Sequence, residues 1–316
     1  MADHLSGYQA RDWDVVDYQM YQEEVSGLWF RGPRPELHSG QPYIVCLGAA
    51  QTFGCFCTRP FPLMLQEQLG VPVVNLGYGG AGPRFYVRHP ELLPLINGAS
   101  LVVVQIMSAR SEDNRLFESG GLEYLTVKAT GRKIASADGY QELLDREGLD
   151  RHLPSKAKRA LRLVRGPRAV RAVIGETRSN WIESYRQLFA QISAPTALFW
   201  FSQRRTWLNR GTRMHWWWQR YDNANAMFGE YPQLVNADMV KAIRPLATDY
   251  VETISRRGSP QRLFSRFTGE PITVDYAKDR PDLAEVSAYN PYYPSPEMHE
   301  DAAQSLRSIC RQRIGS

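Results

Sequence analysis

The chain has 316 residues, 43% of them hydrophobic and 22% charged, with a formal net charge of +5. These proportions are those of a globular protein and exclude a disordered chain, a collagen-like fibre and a long coiled coil. The length allows one large domain or two modest ones, with a core big enough to need no covalent staples. No apolar run reaches the roughly 18 residues that span a bilayer. The start, MADHLSGYQARDWDVVDYQ, places acids where a signal peptide has a basic start and an apolar stretch. A soluble, cytoplasmic protein without a transmembrane segment is expected. Four cysteines, Cys46, Cys55, Cys57 and Cys310, are too few for a disulfide framework and read as free thiols in a reducing compartment.

Residues 1–41 form a polar and aromatic N-terminal extension, for which a short helix around Val15–Gly27 and a following loop are expected. From residue 42 strands and helices alternate. Tyr43–Leu47 is a buried strand ended by Gly48. Phe61–Leu69 is a helix with Pro60 and Pro62 at its start and Gly70 after its end. Val71–Leu76 is a second strand, followed by the glycine-rich turn Gly77–Pro83. A short helix covers Pro90–Ile96, and Leu101–Met107 is a third strand, apolar on both faces as central parallel strands are. Residues 115–180 break the pattern: polar, basic and mostly helical, they read as an insertion. Trp181–Ile192 is a helix, Thr196–Phe201 a fourth strand, Arg204–Tyr221 a loop or lid rich in Trp and Arg, Asn236–Ala247 a helix, Tyr250–Ser255 a fifth strand, and Ser295–Ile314 the last helix. This alternation predicts one α/β domain over 42–316: a three-layer sandwich around a mostly parallel five-stranded sheet of flavodoxin-like type, order 2-1-3-4-5, with the helical basic insertion outside it. Ligands of such sheets bind beyond the carboxyl ends of the strands, here Gly48–Gly54, Gly77–Pro83 and Ser108–Asn114.

Charge is concentrated in residues 151–178, which hold nine Lys/Arg and one acid, Glu176, so the remainder of the chain is net negative. The segment is either a solvated helical face or a seat for an anionic polymer, a phosphate-bearing ligand or an acidic surface. It lacks the aromatic interleaving of single-strand binders, and no nucleic-acid partner is expected. There is no HExxH, no CxxC pair and no GxxxxGK[ST], so neither a metal site nor a standard phosphate loop is expected.

The strand ends carry an ordered set of blocks: YIVCLGAAQTFG at Tyr43–Gly54, VVNLGYGGAG at Val73–Gly82, LVVVQIMSARSEDN at Leu101–Asn114 and YNPYYPSPEMHEDAA at Tyr289–Ala303. Together they resemble the SGNH (GDSL-type) hydrolase superfamily, with its G-D-S-x-T, N-x-G-x-x-G, G-x-N-D and D-x-x-H-P blocks. The resemblance implies an SGNH-like α/β fold and a strand-end active site. It also implies substitutions at that site: Ala50 stands at the nucleophile and Ala49 at the preceding Asp, Ala109 at the oxyanion Asn and Arg110 at the Asp, and Asn290 and Tyr293 at the Asp and His of the last block. Gly80, at the oxyanion glycine, matches. An alanine cannot attack an acyl carbon, and a tyrosine is a poor base at neutral pH, so the ordinary esterase route is not expected.

Other residues then become candidates for catalysis and binding. Arg110 offers a planar cationic fork suited to carboxylate, phosphate or sulfate, unless it pairs with Glu112 or Asp113. Ser108 is a displaced nucleophile or, with Ser111, a ligand hydrogen-bonder. His299 is a base in a shifted register, oriented by Glu297 or Glu300, or a solvent-facing residue. Gln51, Thr52, Gly79, Gly80, Asn114 and Tyr293 are candidate substrate contacts. Cys57 beside Arg59 is a candidate thiolate. His215, Arg213 and Trp216–Trp218, with Trp217 foremost, form an aromatic and basic cluster suited to sugar rings. The first reading is a group-transfer or hydrolytic enzyme acting on a small-molecule or glycan (polysaccharide) substrate. A sulfotransferase-like enzyme using an anionic nucleotide donor held by Arg110, with His299 as base, is an alternative; a non-catalytic glycan- or anion-binding protein is another. No cofactor is evident.

Overall fold

The structure is a computed structural model and describes residues 7–146, 168–207, 221, 223–276 and 286–315. The central sheet has five strands: β1 Ile44–Gly48, β2 Val73–Gly77, β3 Leu101–Gln105, β4 Thr196–Ser202 and β5 Asp249–Ile254. Their order is β5-β4-β3-β1-β2 and every pairing is parallel. β1 therefore lies inside the sheet, and the sequence order 2-1-3-4-5 is the one observed.

Alternation along the strands divides the core into two layers. Ile44 and Cys46 of β1, Val103 of β3 and Phe199 and Phe201 of β4 face helices α1 (Phe61–Leu69) and α6 (Pro296–Ile314), meeting Leu65, Ala302 and Leu306. Val45, Leu47, Val102, Val104, Leu198 and Trp200 face the other way. There they pack with α2 (Pro83–Val87), α4 (Arg168–Gln191) and α5 (Ala237–Ile243) through Phe85, Trp181, Tyr185 and Val240. α4 buries Val170, Val173, Ile174, Thr177, Trp181, Ser184, Tyr185 and Leu188, a single helical face. Arg168 and Arg171 lie on its exposed side, so this end of the basic segment is a solvated helical face. The rest of that segment, up to residue 167, lies outside the described residues.

One expectation needs correction. No helix covers Val15–Gly27. A five-residue helix, Tyr8–Asp12, precedes a hairpin of Tyr21–Gln22 and Trp29–Phe30. It turns on Gly27 at φ +68°, while Glu23 accepts hydrogen bonds from the backbone and hydroxyl of Ser26. The apolar side chains Val15, Val16 and Tyr18 pack onto the strand ends with Phe53, Phe56 and Tyr293 instead of forming a helical stripe. Arg31 then fastens the arm: its guanidinium donates to the carbonyls of Phe53, Gly54, Cys57 and Thr58 at 2.6–3.1 Å.

The described part of the insertion is mostly helical, as expected, through 136–146 and the start of α4, but it opens on a small sheet. Phe117–Glu118, Tyr124–Val127 and Lys133–Ala135 form a three-stranded antiparallel sheet, followed by α3 (Ser136–Arg146). Leu125, Thr126 and Val127 favour a strand. Gly131, at φ +71°, supplies the left-handed residue of the connecting turn. Among the described residues, no helix is long and apolar enough to cross a membrane.

Candidate functional site

The first strand ends in a tightly packed corner. A Cβ on Gly48 would lie 2.1 Å from Thr52 Oγ1 and 2.3 Å from Gln105 Oε1, so only glycine fits. Gln105, at the end of β3, ties the corner together. Its Oε1 accepts from Ala49 N at 3.1 Å and Thr52 Oγ1 at 2.6 Å, and its Nε2 donates to Tyr231 Oη at 2.9 Å. Thr52 is thus a buried turn-closing residue and lines none of the cavities described below. Ala49 and Ala50 follow directly, and their small side chains border a narrow pocket of about 20 Å³, room for about one water molecule or hydroxyl.

This pocket brings Gln51, Gly80, Ser108, Arg110 and Tyr293 together, along with Tyr8, Glu123, Tyr231, Gln233 and Tyr292. It lies between two larger cavities. It shares Tyr8, Arg110, Glu123, Tyr292 and Tyr293 with one of about 490 Å³, and Gln51, Tyr231 and Tyr292 with one of about 410 Å³. Gly79 lines the larger, where a Cβ would meet the Tyr8 ring at 2.5 Å.

Arg110 does not pair with Glu112 or Asp113. Glu112 is taken by Arg84, and Arg110 Nη2 lies 2.5 Å from Glu123 Oε2. Glu123 comes from the insertion and crosses directly over the glycine turn: a Cβ on Gly80 would fall 2.9 Å from its Cγ. The cleft therefore presents a neutral ion pair, not a bare cation. Ser108 Oγ sits 3.3 Å from Gln233 O and accepts from Arg110 N at 3.2 Å. Ser111 donates to Gly80 O at 2.8 Å. Both hydroxyls hold loops in place, and neither has a histidine partner.

Two polar atoms stand out. Gln51 and Gln233 are 2% and 5% exposed, both line the narrow pocket, and the Oε1 of each has no hydrogen-bond partner. Gln233 Nε2 is engaged, donating to Tyr292 Oη at 2.7 Å. A buried acceptor left unmatched costs about 1–3 kcal/mol, so the pair forms a prepared seat for donors.

Several sequence candidates fall elsewhere. His299 is fully buried between Phe61 and Phe201 and lines none of these cavities. Its Nδ1 accepts from Phe61 N at 3.2 Å, and its Nε2 has no partner, carboxylate or otherwise. Burial, reinforced by Arg31, lowers its pKa to about 3; it is a neutral core residue and neither a base nor a solvent-facing one. Asn114 is a turn residue: its Oδ1 caps Leu116 N and Phe117 N, and its Nδ2 reaches Tyr140 and Thr177. Cys57 is buried, and burial pushes its thiol up to about 12. Its neighbour Arg59 pairs with Glu67, so no reactive thiolate forms. Asn290 stiffens its own loop, accepting from Tyr292 N and Tyr293 N and donating to Tyr293 O. Burial also raises the pKa of Tyr293, which stays a protonated phenol. Trp217 and its neighbours Arg213, His215, Trp216 and Trp218 lie outside the described residues. Among those residues, no group of three His, Cys, Asp or Glu is placed to hold a metal.

Five site residues escaped the sequence reading: Tyr8, Glu123, Tyr231, Gln233 and Tyr292. Only Tyr292 carried a signal, adjoining Tyr293 in the last block.

No curated protein matches the chain. The fold is similar to that of several solved structures. A carbohydrate esterase family 2 enzyme with a carbohydrate-binding domain, from Corynascus thermopiles (Myceliophthora fergusii), is 10% identical with a TM-score of 0.38, over 89% of this chain and 69% of that one. An extracellular lipase from Streptomyces rimosus is 11% identical with a TM-score of 0.39, over 86% and 99%. A catalytic mutant of an acetylxylan esterase from Geobacillus stearothermophilus is 13% identical with a TM-score of 0.36, over 88% and 96%. Likeness this distant assigns neither substrate nor catalytic residue here. A family model described as a domain of unknown function matches residues 7–119 and 159–314, leaving out the stretch that carries Glu123. The chain belongs to that family, DUF6473.

Proposed function

We propose that the protein binds a carbohydrate-type ligand in the strand-end cleft, as a member of an SGNH-like fold that lacks the serine-esterase machinery. The observation that carries this reading is the pair of buried, unmatched amide oxygens of Gln51 and Gln233 in one pocket. Such acceptors call for donors, and the hydroxyls of a sugar are donors without charge. The neighbouring 410 Å³ cavity continues the pattern with Gln203, Asn225, Glu230 and Tyr231.

Hydrolysis or group transfer, the first expectation from sequence, finds less support. Ala50 offers no nucleophile, Tyr293 and Asn290 offer no base, and the cleft carboxylate Glu123 is held by Arg110. An anionic nucleotide donor is also disfavoured, because the cation meant to hold it is already neutralised.

The test is calorimetric titration with a panel of neutral mono- and oligosaccharides, on the native protein and on Gln51→Met and Gln233→Met. Saturable binding that is insensitive to salt is expected, weakened at least five-fold by either substitution. Binding of no sugar, or binding indifferent to both substitutions, refutes the reading.

A further inference from the structure

The 490 Å³ cavity on the far side of Tyr292 differs in chemistry from the pocket beside it. Nine of its twenty described lining residues are aromatic, with Met20, Leu122 and Pro291 among the others. Two ring pairs are already arranged edge to face, Tyr8 and Tyr293 with centroids 6.0 Å apart at 72° and Tyr292 and Tyr293 4.9 Å apart at 85°, and Tyr8 is tilted against Phe53 at 5.7 Å.

The charged side chains and the glutamine that reach this cavity are answered by the protein itself. Arg110 and Glu123 close on each other. Arg11 lies on Asp12 at 2.5 and 2.8 Å. Gln9 donates to Val16 O at 3.2 Å and accepts from Tyr18 N at 2.7 Å. The volume falls within the range of small-molecule sites. Unmatched acceptors thus lie on one side of Tyr292 and matched charged groups among aromatic faces on the other.

We infer that this cavity is a subsite for an aryl group, so that the ligand is a glycan bearing an aromatic substituent. The sugar lies in the 410 Å³ cavity and sends one hydroxyl into the narrow pocket toward Gln51 and Gln233, and the ring lies among Tyr8, Phe53, Tyr289 and Tyr293. The inference rests on the carbohydrate reading for the sugar half and on this cavity alone for the aryl half. An aromatic guest is favoured over an aliphatic one because edge and face contacts with tyrosine rings add to the gain from burial alone. The Arg11 guanidinium, itself lining the cavity, lies 4.8 Å from the centroids of both Tyr8 and Phe56 and braces the Tyr8 ring.

The test uses 2-naphthol as the neutral aryl probe and cyclohexanol as the aliphatic control, titrated calorimetrically into the full-length protein. Saturable one-to-one binding of 2-naphthol is expected, at least ten-fold tighter than cyclohexanol. Leu122→Trp, which fills the cavity, is expected to weaken it at least ten-fold, and Arg171→Ala, on the exposed face of α4, to leave it unchanged. Should Leu122→Trp fail to fold, Tyr289→Ala removes a partly exposed wall and is expected to weaken the probe about three-fold. Absence of saturable binding, equal affinity for cyclohexanol, or a loss caused by Arg171→Ala overturns the inference. Sugar binding without naphthol binding refutes the aryl subsite alone; naphthol binding without sugar binding refutes the carbohydrate reading alone.

Discussion

His299 tests whether the core has been read correctly, because its sequence position suggested a catalytic base. In the folded protein its pKa is lowered to about 3, burial being the main cause, against about 6.5 in an unfolded chain. As pH falls below 6.5 the unfolded chain takes up a proton there and the native protein does not. The unfolded state therefore gains, and stability drops until the pH reaches about 3. Each unit is worth roughly 1.4 kcal/mol, so acidification from pH 6.5 to 4.5 costs about 2–3 kcal/mol through this residue. His299→Asn keeps an acceptor for Phe61 N and cannot titrate. Urea denaturation of both proteins at pH 6.5 and 4.5 should show the native protein losing about 2–3 kcal/mol more than the variant. Equal losses would mean that His299 titrates in the native state, and the buried-core assignment would be wrong.

Gln105→Met strands Ala49 N and the Thr52 hydroxyl and takes a donor from the Tyr231 hydroxyl; a loss of about 2–5 kcal/mol is expected by urea denaturation, and a loss under about 1 kcal/mol would show that the corner does not depend on it. Glu123→Gln leaves Arg110, 17% exposed, without its counter-charge. Stability should fall by about 1–3 kcal/mol, and sulfate should raise the melting temperature of the variant and not that of the native protein; an equal response in both would contradict a neutralised Arg110. Ala50→Ser restores a hydroxyl where the resemblance puts the nucleophile but supplies no base, so hydrolysis of an aryl acetate should stay at background. Turnover in that variant would show that a base is present in the cleft.

The sheet was legible because β1, β3 and β4 are apolar on both faces, a pattern that surface strands and amphipathic helices do not share. The strand-end blocks located the cleft for the same reason, since a parallel sheet leaves its loops there. What failed was local. The N-terminal arm has apolar residues at near-helical spacing, but Val15, Val16 and Tyr18 each find partners on the strand ends. In the insertion the helical expectation held for α3 and the start of α4 but missed the strand Tyr124–Val127. His299 was misread although Met298, Ala302, Ala303 and Leu306 mark a buried stripe to which its spacing assigns it. Glu123 and Gln233 act from loops, where no periodicity reports on direction, and their roles follow only from contacts distant in sequence.

The most direct test of carbohydrate binding at this cleft is to watch the two amides themselves. In a protein labelled with nitrogen-15 at its glutamine side chains, the amide signals of Gln51 and Gln233 can be assigned by their loss in Gln51→Met and Gln233→Met. Titration with neutral oligosaccharides should move both signals along one saturation curve, while Gln105, fully engaged in the corner, serves as a stationary control. Signals that stay still with every sugar, or that move instead with sulfate or a nucleotide, would contradict it.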